Sequence, residues 1–151
     1  MDAVSEVTKA WLAGFFDGEG CVVISMQRER RGKSSDSLHL NLNITNTDLG
    51  VLESIQEIYL GRIRKFKKYA NRRQCYSWTV TGNDSAVFAQ AILPYSRTKR
   101  QQLELYLHAR TLFAKPHELQ SPFSAERKIE RAQVAQHAAY LKHLTLVQKE
   151  A

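Results

Sequence analysis

Two carboxylates separated by one glycine, Asp17 and Glu19, follow an apolar segment near the amino terminus. Carboxylates bind divalent metal ions, and a metal ion can make a water nucleophilic and neutralise charge on a phosphate. Magnesium prefers oxygen ligands and keeps several waters, so one carboxylate per chain, with backbone carbonyls and phosphate oxygens, is a sufficient ligand set. This acid-glycine segment is therefore the candidate chemical centre, which the rest of the chain must position.

The apolar segment before these acids has the spacing of a helix, and Ser5 can cap its start. A glycine inside a helix costs roughly 1 kcal/mol relative to alanine, so Gly14 and Gly18 indicate close contact with another helix. If that helix belongs to a second copy of the chain, two Glu19 carboxylates meet. The contact residues predicted for such a dimer are Trp11, Leu12, Ala13, Gly14, Phe15, Asp17 and Gly18.

Residues 21–30 and 37–45 alternate between apolar and polar side chains, which predicts two strands that each have one buried face. A charged turn over residues 28–36 joins them. The outward side chains of the second strand are short hydrogen-bond donors and acceptors, which suit contacts with base edges. A polar sheet edge would explain this one strand equally well.

The later segments predict a second pair of strands between helices. They comprise a helix capped by Thr47 or Asp48, strands at 62–68 and 74–81, a helix over 84–93, a helix begun by Arg97, Lys99 and Arg100, and a last helix capped by Ser124. Two hairpins separated by helices indicate the α+β class, with an αββαββα core whose four-stranded antiparallel sheet has helices on one face. We assign residues 1–114 to this core, 115–123 to a linker and 124–151 to a helical extension packed on the same domain.

The composition narrows the class of protein. The 151 residues, 43% hydrophobic and 25% charged, are ordinary for a soluble domain, and the net charge of +7 fits a polyanionic partner, a membrane surface or simple solubility. Two cysteines, and five histidines without ligand spacing, argue against a disulfide scaffold and a zinc site. No segment approaches the roughly 18 apolar residues of a membrane span. We therefore expect an intracellular protein with neither a membrane partner nor a small-molecule substrate.

Residues 12–20, Leu-Ala-Gly-Phe-Phe-Asp-Gly-Glu-Gly, resemble the defining motif of the LAGLIDADG homing endonucleases. The resemblance extends over roughly residues 9–114 and includes Asn46-Thr47-Asp48 after the second strand and Lys99 after Pro94. The motif occurs once, so the chain resembles the single-motif class, which works as a homodimer with its motif helices packed across a two-fold axis. This symmetry implies a pseudo-palindromic DNA target.

The resemblance implies a site-specific endonuclease of intron homing that cuts both strands of duplex DNA with Mg²⁺, while Mn²⁺ or Ca²⁺ can also bind. It implies Glu19, Asn46 and Lys99 as catalytic residues, with Glu19 and the Gly18 carbonyl as metal ligands. The family more often has aspartate at the Glu19 position. Arg97 and Arg100 are the nearest rivals of Lys99. The host compartment would be an organelle (chloroplast or mitochondrion) if the gene is organellar, and otherwise the bacterial or archaeal cytoplasm.

The open face of the predicted sheet is where the resemblance places DNA. Arg62 and Arg64 are the best candidates for guanine contacts, because a guanidinium can bond both acceptors of a guanine. The full set of expected DNA-binding residues is Val23, Ser25, Gln27, Glu29, Arg30, Ser37, His39, Asn41, Asn43, Arg62, Arg64, Lys68, Arg72, Arg73, Ser77 and Thr79.

Two alternatives stay open. One keeps the fold and the nucleic-acid binding without cleavage, as in an intron maturase or a DNA-binding regulator. The other, a structural or protein-interaction module, explains the charge but not the convergence of an acid, an amide and a lysine.

Overall fold

The computed structural model describes residues 4–27, 37–68, 70–112 and 125–150. Its elements, in chain order, are α1 (Glu6–Glu19), β1 (Gly20–Gln27), β2 (Ser37–Asn46), α2 (Leu49–Tyr59), β3 (Arg62–Lys65), β4 (Tyr76–Val80), α3 (Gly82–Ile92), α4 (Arg100–Thr111) and α5 (Ala125–Glu150). This confirms the α+β class and the predicted order. No helix in the described part of the chain is both long enough and apolar enough to cross a membrane.

The four strands form one antiparallel sheet in the order β1-β2-β4-β3. The residues predicted to face inward are buried or partly buried on one side, where the helices pack, and the polar residues of β2 lie on the other side. The predicted open face is thus confirmed. β3 ends at Lys65 and β4 begins at Tyr76, so both strands are shorter than expected. Past the ends of these strands, the Gln74 side-chain amide donates to the carbonyls of Phe66 (2.7 Å) and Cys75 (2.9 Å) and adds to the backbone bond from Phe66 N–H to the Cys75 carbonyl (3.0 Å).

Phe88 of α3 is the centre of the core. Its ring makes edge-to-face contacts with Phe16 of α1, Tyr59 of α2 and Trp78 of β4, at centroid distances of 5.0 to 5.5 Å. Edge-to-face pairs each add about 0.5–1.5 kcal/mol beyond the burial of their area. The cluster therefore fixes three helices to the sheet, including the helix that carries the motif.

The helix ends follow their capping residues. Ser5 Oγ accepts from the backbone N–H of Thr8 at 3.1 Å, as predicted for α1. Asp48, rather than Thr47, caps α2, because its carboxylate accepts from the N–H of Val51 at 3.3 Å. α3 begins at Gly82, two residues before the predicted start.

The last helix packs on β1 and α4. It buries Val134, Ala138 and Leu141, and it also buries Arg131, which is 6% exposed. The Arg131 guanidinium donates from Nε (3.2 Å) and Nη2 (2.7 Å) to the carbonyl of Leu112 and so satisfies the end of α4. The predicted linker at 115–123 and the predicted cap Ser124 lie outside the described residues.

Gly61 follows the end of α2 in a left-handed conformation that favours glycine. Both Gly61 and Gly82 have positive φ, 88° and 63°, but a Cβ on Gly61 would lie 2.7 Å from Nε1 of Trp78 and 2.8 Å from the Thr79 carbonyl, whereas a Cβ on Gly82 would contact nothing within 4 Å. Left-handed backbone costs each alanine about 1–2 kcal/mol. Gly61→Ala should lower the free energy of unfolding by ~1–3 kcal/mol more than Gly82→Ala does, because only at Gly61 does the new methyl group overlap Trp78 and Thr79. Urea denaturation of both variants measures this difference. Equal losses in the two variants would contradict this.

Candidate active site and nucleic-acid interface

The end of α1 is joined to the start of α4 through the carboxylate of Asp17. It accepts hydrogen bonds from Ser96 Oγ (2.6 Å) and from the backbone N–H groups of Arg97 (2.6 Å), Thr98 (3.2 Å) and Lys99 (3.2 Å). These N–H groups precede Arg100, the first residue of α4, and lie in the segment that leads into that helix. Asp17 therefore anchors the segment before α4 to the end of α1.

The pKa of Asp17 reflects this arrangement. Partial burial is the largest single influence and raises the pKa. The hydrogen bonds from Ser96 and from the N–H groups of Arg97, Thr98 and Lys99 lower the pKa, and together they outweigh the effect of burial. The net result is a pKa below the ordinary value of 3.8. The carboxylate is therefore ionised at neutral pH and committed to the α1–α4 junction.

Lys99 is held at the carboxyl end of α1. Its Nζ donates to the backbone carbonyl of Asp17, and it lies 6.0 Å from the centre of the Phe16 ring. The last carbonyls of a helix carry partial negative charge, which favours an ammonium at this position. Glu19, the last residue of α1, is exposed two residues further on. An ammonium and a carboxylate thus lie at the same helix end.

Asn46 lies at the same end of the sheet. Gly20 pairs with Ile44, so Asn46, two residues beyond Ile44, extends past the start of β1 towards the end of α1. Its Oδ1 accepts from the N–H of Asp48 at 2.9 Å, which fixes the amide in an Asx turn before α2. The three residues predicted as catalytic therefore come from three elements that converge on one end of the fold.

The two arginines considered as rivals of Lys99 have other environments. Arg100 donates from Nε to the Ser96 carbonyl (3.2 Å) and from Nη2 to the Pro94 carbonyl (2.8 Å), so its guanidinium is held on its own loop. Arg97 is exposed, and its backbone N–H bonds Asp17. Lys99 is the one of the three whose side chain bonds the end of α1.

Two residues assigned to the dimer contact need correction. Leu12 and Ala13 have no exposed surface, because they pack in the core of their own chain, so placing their side chains at a contact with a second copy was wrong. The Asp17 carboxylate is bonded to the segment before α4 but stays partly exposed, so its predicted dimer contact stays a prediction. The motif spacing did not distinguish the two faces of the helix.

The opposite face of α1 is exposed. Val7 (80% exposed), Trp11 (50%), Gly14 and Gly18 recur every three or four residues along it, and Phe15 stacks on Trp11 with ring centres 5.4 Å apart. A Cβ on either glycine would meet nothing within 4 Å in the described chain, so packing within the subunit does not require glycine there. Val7 was missed because it precedes the motif, although its spacing from Trp11 was visible in the sequence.

The polar side chains of β2 form a connected row on the open face of the sheet. The Asn43 amide donates to Asn41 Oδ1 at 3.1 Å, and Asn41 Nδ2 lies 2.8 Å from His39 Nε2. Cross-strand pairing places Val23 of β1 opposite Asn41 and Ser25 opposite His39, and both are partly exposed. The row thus presents several donors and acceptors in fixed relative positions.

The other half of the open face is basic. Arg62 pairs with Thr79 and Arg64 with Ser77, and together they line a groove in which Ser77 is only 8% exposed. The exposed cations beyond the strands include Lys68, Arg72 and Arg73. The side chains of Gln27 and Ser37, and all of Glu29 and Arg30, lie outside what the structure describes, so their predicted DNA contacts stay predictions.

One chain supplies few metal ligands. Within the described residues, no three His, Cys, Asp or Glu side chains come together as a metal site. The carbonyls of Phe16 and Asp17 already accept hydrogen bonds from Gly20 N–H and Lys99 Nζ, so Gly18 has the next carbonyl towards the end of α1. Glu19 and this carbonyl are hard oxygen donors that suit magnesium, but a complete coordination shell needs oxygens from elsewhere.

Acid titration should reveal the hydrogen bonds that Asp17 accepts from residues 96–99. Its pKa is lower in the folded chain than in the unfolded chain, so its stabilisation is complete above the unfolded value near 3.8 and is lost as pH falls through the folded value. Asp17→Asn should cost about 1–3 kcal/mol of unfolding free energy at neutral pH, because an amide presents donors to three N–H groups. In urea denaturation at several pH values, the difference from wild type should shrink below about pH 4. Asp84→Asn, on the exposed start of α3, is the control, and a pH-independent difference for Asp17→Asn would contradict the stabilising role of the ionised Asp17 carboxylate.

Solved structures share this fold. The homing endonuclease I-CvuI, in complex with its target in the presence of 2 mM calcium, matches with a TM-score of 0.72 and 24% identity over 90% of this chain and 82% of that one. The archaeal intron-encoded homing endonuclease I-Vdi141I, complexed with DNA, has a TM-score of 0.72 and 18% identity over 90% and 84%. The group I intron-encoded enzyme I-CeuI, complexed with DNA, has a TM-score of 0.67 and 19% identity over 91% and 69%.

Sequence comparison agrees with the fold. No curated protein sequence matches the chain significantly. The profile of the family described as LAGLIDADG endonuclease matches residues 12–104, which is more than half of the chain and includes the motif, the whole sheet and the start of α4. The protein therefore belongs to the LAGLIDADG homing endonuclease family.

Proposed function

We propose that this protein is a homodimeric, magnesium-dependent homing endonuclease that cuts both strands of a long pseudo-palindromic DNA site. The observation that carries the proposal is the end of α1. There the exposed Glu19 and the Lys99 ammonium lie at the same end of the helix, next to a helix face on which Gly14 and Gly18 have no packing role inside the subunit. A second copy packed on that face brings two such ends together.

The exposed face of α1 supports the dimer. Val7 and Trp11 leave much apolar surface in water, and the two glycines allow close approach of another backbone. Contact between two copies of one face is isologous, which gives a closed two-fold dimer. The symmetry then predicts two half-sites of related sequence in the DNA.

The residues at the helix end divide the work of hydrolysis. Glu19 and the Gly18 carbonyl would hold a magnesium ion together with phosphate oxygens, and the bound ion supplies charge neutralisation and a more acidic water. Lys99, fixed by its bond to the Asp17 carbonyl, stabilises the negative charge that develops on the phosphate. The side-chain oxygen of Asn46 accepts a hydrogen bond from the N–H of Asp48, so the side-chain NH₂ group is the part of Asn46 that would orient water.

The open face of the sheet would bind the major groove. Arg62 and Arg64 would each bond a guanine, and the row from His39 to Asn43 would contact neighbouring base edges. The exposed cations at the hairpin end would contact phosphates and set the salt dependence of binding. Similar chains bound to DNA support this use of the fold. The I-CvuI complex with an I-CreI target in 2 mM magnesium contains DNA that was not cleaved. Cleavage by the present protein must therefore be tested on a site that the protein itself selects.

An enzyme of this kind acts where its target DNA lies. We infer an organelle if the gene is organellar, and otherwise the bacterial or archaeal cytoplasm. The same reasoning assigns the gene to a mobile intron, whose insertion site would be the target.

Glu19→Gln should separate cleavage from binding. An amide is a neutral and much weaker metal ligand than a carboxylate, so cleavage should fall by at least about a hundredfold, the usual scale for losing one electrostatic stabiliser, while DNA affinity in calcium stays near wild type. The measurement uses a plasmid library of random inserts, incubated with magnesium, to obtain the target, followed by cleavage and gel-shift assays. Glu53→Gln, an exposed glutamate of α2, is the matched control.

The outcomes discriminate between the functions. Glu19→Gln that cleaves as fast as Glu53→Gln would contradict the assignment of Glu19. Wild-type protein that binds a selected nucleic acid with magnesium and never cleaves it would favour the maturase or regulator.

Gly14→Ala tests the dimer face. In an isolated subunit the new methyl group meets nothing within 4 Å, and alanine favours a helix by about 1 kcal/mol over glycine, so the subunit itself should become more stable. If the face is a tight contact between copies, the same methyl group should weaken dimerisation, measured by sedimentation equilibrium. Gly50→Ala in α2 is the control and should leave association unchanged. A Gly14→Ala variant that dimerises as tightly as wild type would contradict the glycine contact.

A further inference from the structure

Phe66 is a large apolar residue on the basic half of the open sheet face. It follows Arg62 and Arg64 at intervals of two residues, and it lines the same groove as these arginines, Ser77 and Thr79. Its side chain is 44% exposed. It was absent from the expected DNA-binding residues, which apart from Val23 are polar or charged.

The ring lies outside the hydrophobic core. Ile63, three residues earlier, packs against the core, whereas the Phe66 side chain is exposed. On its other side Phe66 lines a second groove with Lys67, Arg72, Arg73 and Cys75. An exposed aromatic ring is therefore surrounded by cations on the surface proposed to face DNA.

The backbone of Phe66 is held firmly. Its N–H donates to the carbonyl of Cys75 at 3.0 Å, and its own carbonyl accepts from Gln74 Nε2 at 2.7 Å. These bonds continue the pairing of β3 with β4 past the end of the regular strands. The backbone that carries the ring is thus held in place, and such support favours a specificity contact.

Base chemistry identifies a partner for such a ring. In an intact duplex the base faces are covered by stacking, and the edges in the major groove offer donors, acceptors and one apolar group, the C5-methyl of thymine. We propose that Phe66 contacts a thymine methyl and makes the protein select thymine at one position of each half-site. This inference rests on the proposed function, because it requires duplex DNA on the open face.

The test uses the duplex selected by the full-length wild-type protein from a random library. Replacing the selected thymine by deoxyuridine removes only the methyl group, and wild-type affinity should fall about fourfold, as expected for one buried methyl group. Phe66→Ala should bind the two duplexes equally and should lose the thymine preference while other positions are selected as before. Phe66→Leu, which keeps an apolar side chain, should retain part of the preference. Val87→Ala, on an exposed valine of α3, controls for the loss of surface apolar area.

Several results would overturn the inference. They are selection of thymine by Phe66→Ala as strongly as by wild type, no thymine whose replacement by deoxyuridine weakens binding, or an equal loss at every position in Phe66→Ala. If wild-type protein selects and cleaves a site but one of these results is found, only the inference about Phe66 fails. If wild-type protein selects no duplex at all, the proposed function fails and the inference fails with it.

Discussion

The hydrogen bonds that join the Asp17 carboxylate to residues 96–99 are the interaction on which the rest of the site depends. One carboxylate accepts from a hydroxyl and three backbone N–H groups, and the Lys99 ammonium in turn donates to a carbonyl in the last turn of α1. The segment that leads into α4 needs an acceptor for its N–H groups, and the end of α1 needs a donor for its carbonyls. These bonds hold Lys99 against Asp17, two residues before Glu19. The lysine is therefore positioned at the end of α1 by direct hydrogen bonds.

The same helix has to serve two surfaces. Its inner face, with Leu12, Ala13 and Phe16, is fully buried and joined through Phe88 to the rest of the core. Its outer face carries Gly14 and Gly18 beside Trp11, and because these glycines have no side chain, the backbone of a second copy can approach closely. In the proposed dimer the core orients the helix, the outer face sets the distance between two active centres, and the sheets extend the DNA contact to either side.

Local patterns predicted most of the fold and only part of the site. A strand with one buried face must alternate, so β1 and β2 and their inward residues followed from the sequence, as did the caps at Ser5 and Asp48. The Asp17 contacts join residues about 80 positions apart, and no local pattern encodes them. Helical spacing also could not say which apolar face of α1 enters the core. Arg131 was missed because a buried arginine on a polar helix resembles a surface residue until its acceptor, the Leu112 carbonyl, is known.

The central claim is that each subunit contributes one Glu19 and that both are needed to break both strands. Mixing wild-type protein with the Glu19→Gln variant and measuring double-strand cleavage of the selected site tests this directly. If two subunits share the work, cleavage should follow the square of the wild-type fraction and fall to about a quarter in an equal mixture, with nicked DNA accumulating. A linear fall to about half, without nicking, would show that a single chain cuts both strands and would contradict the account.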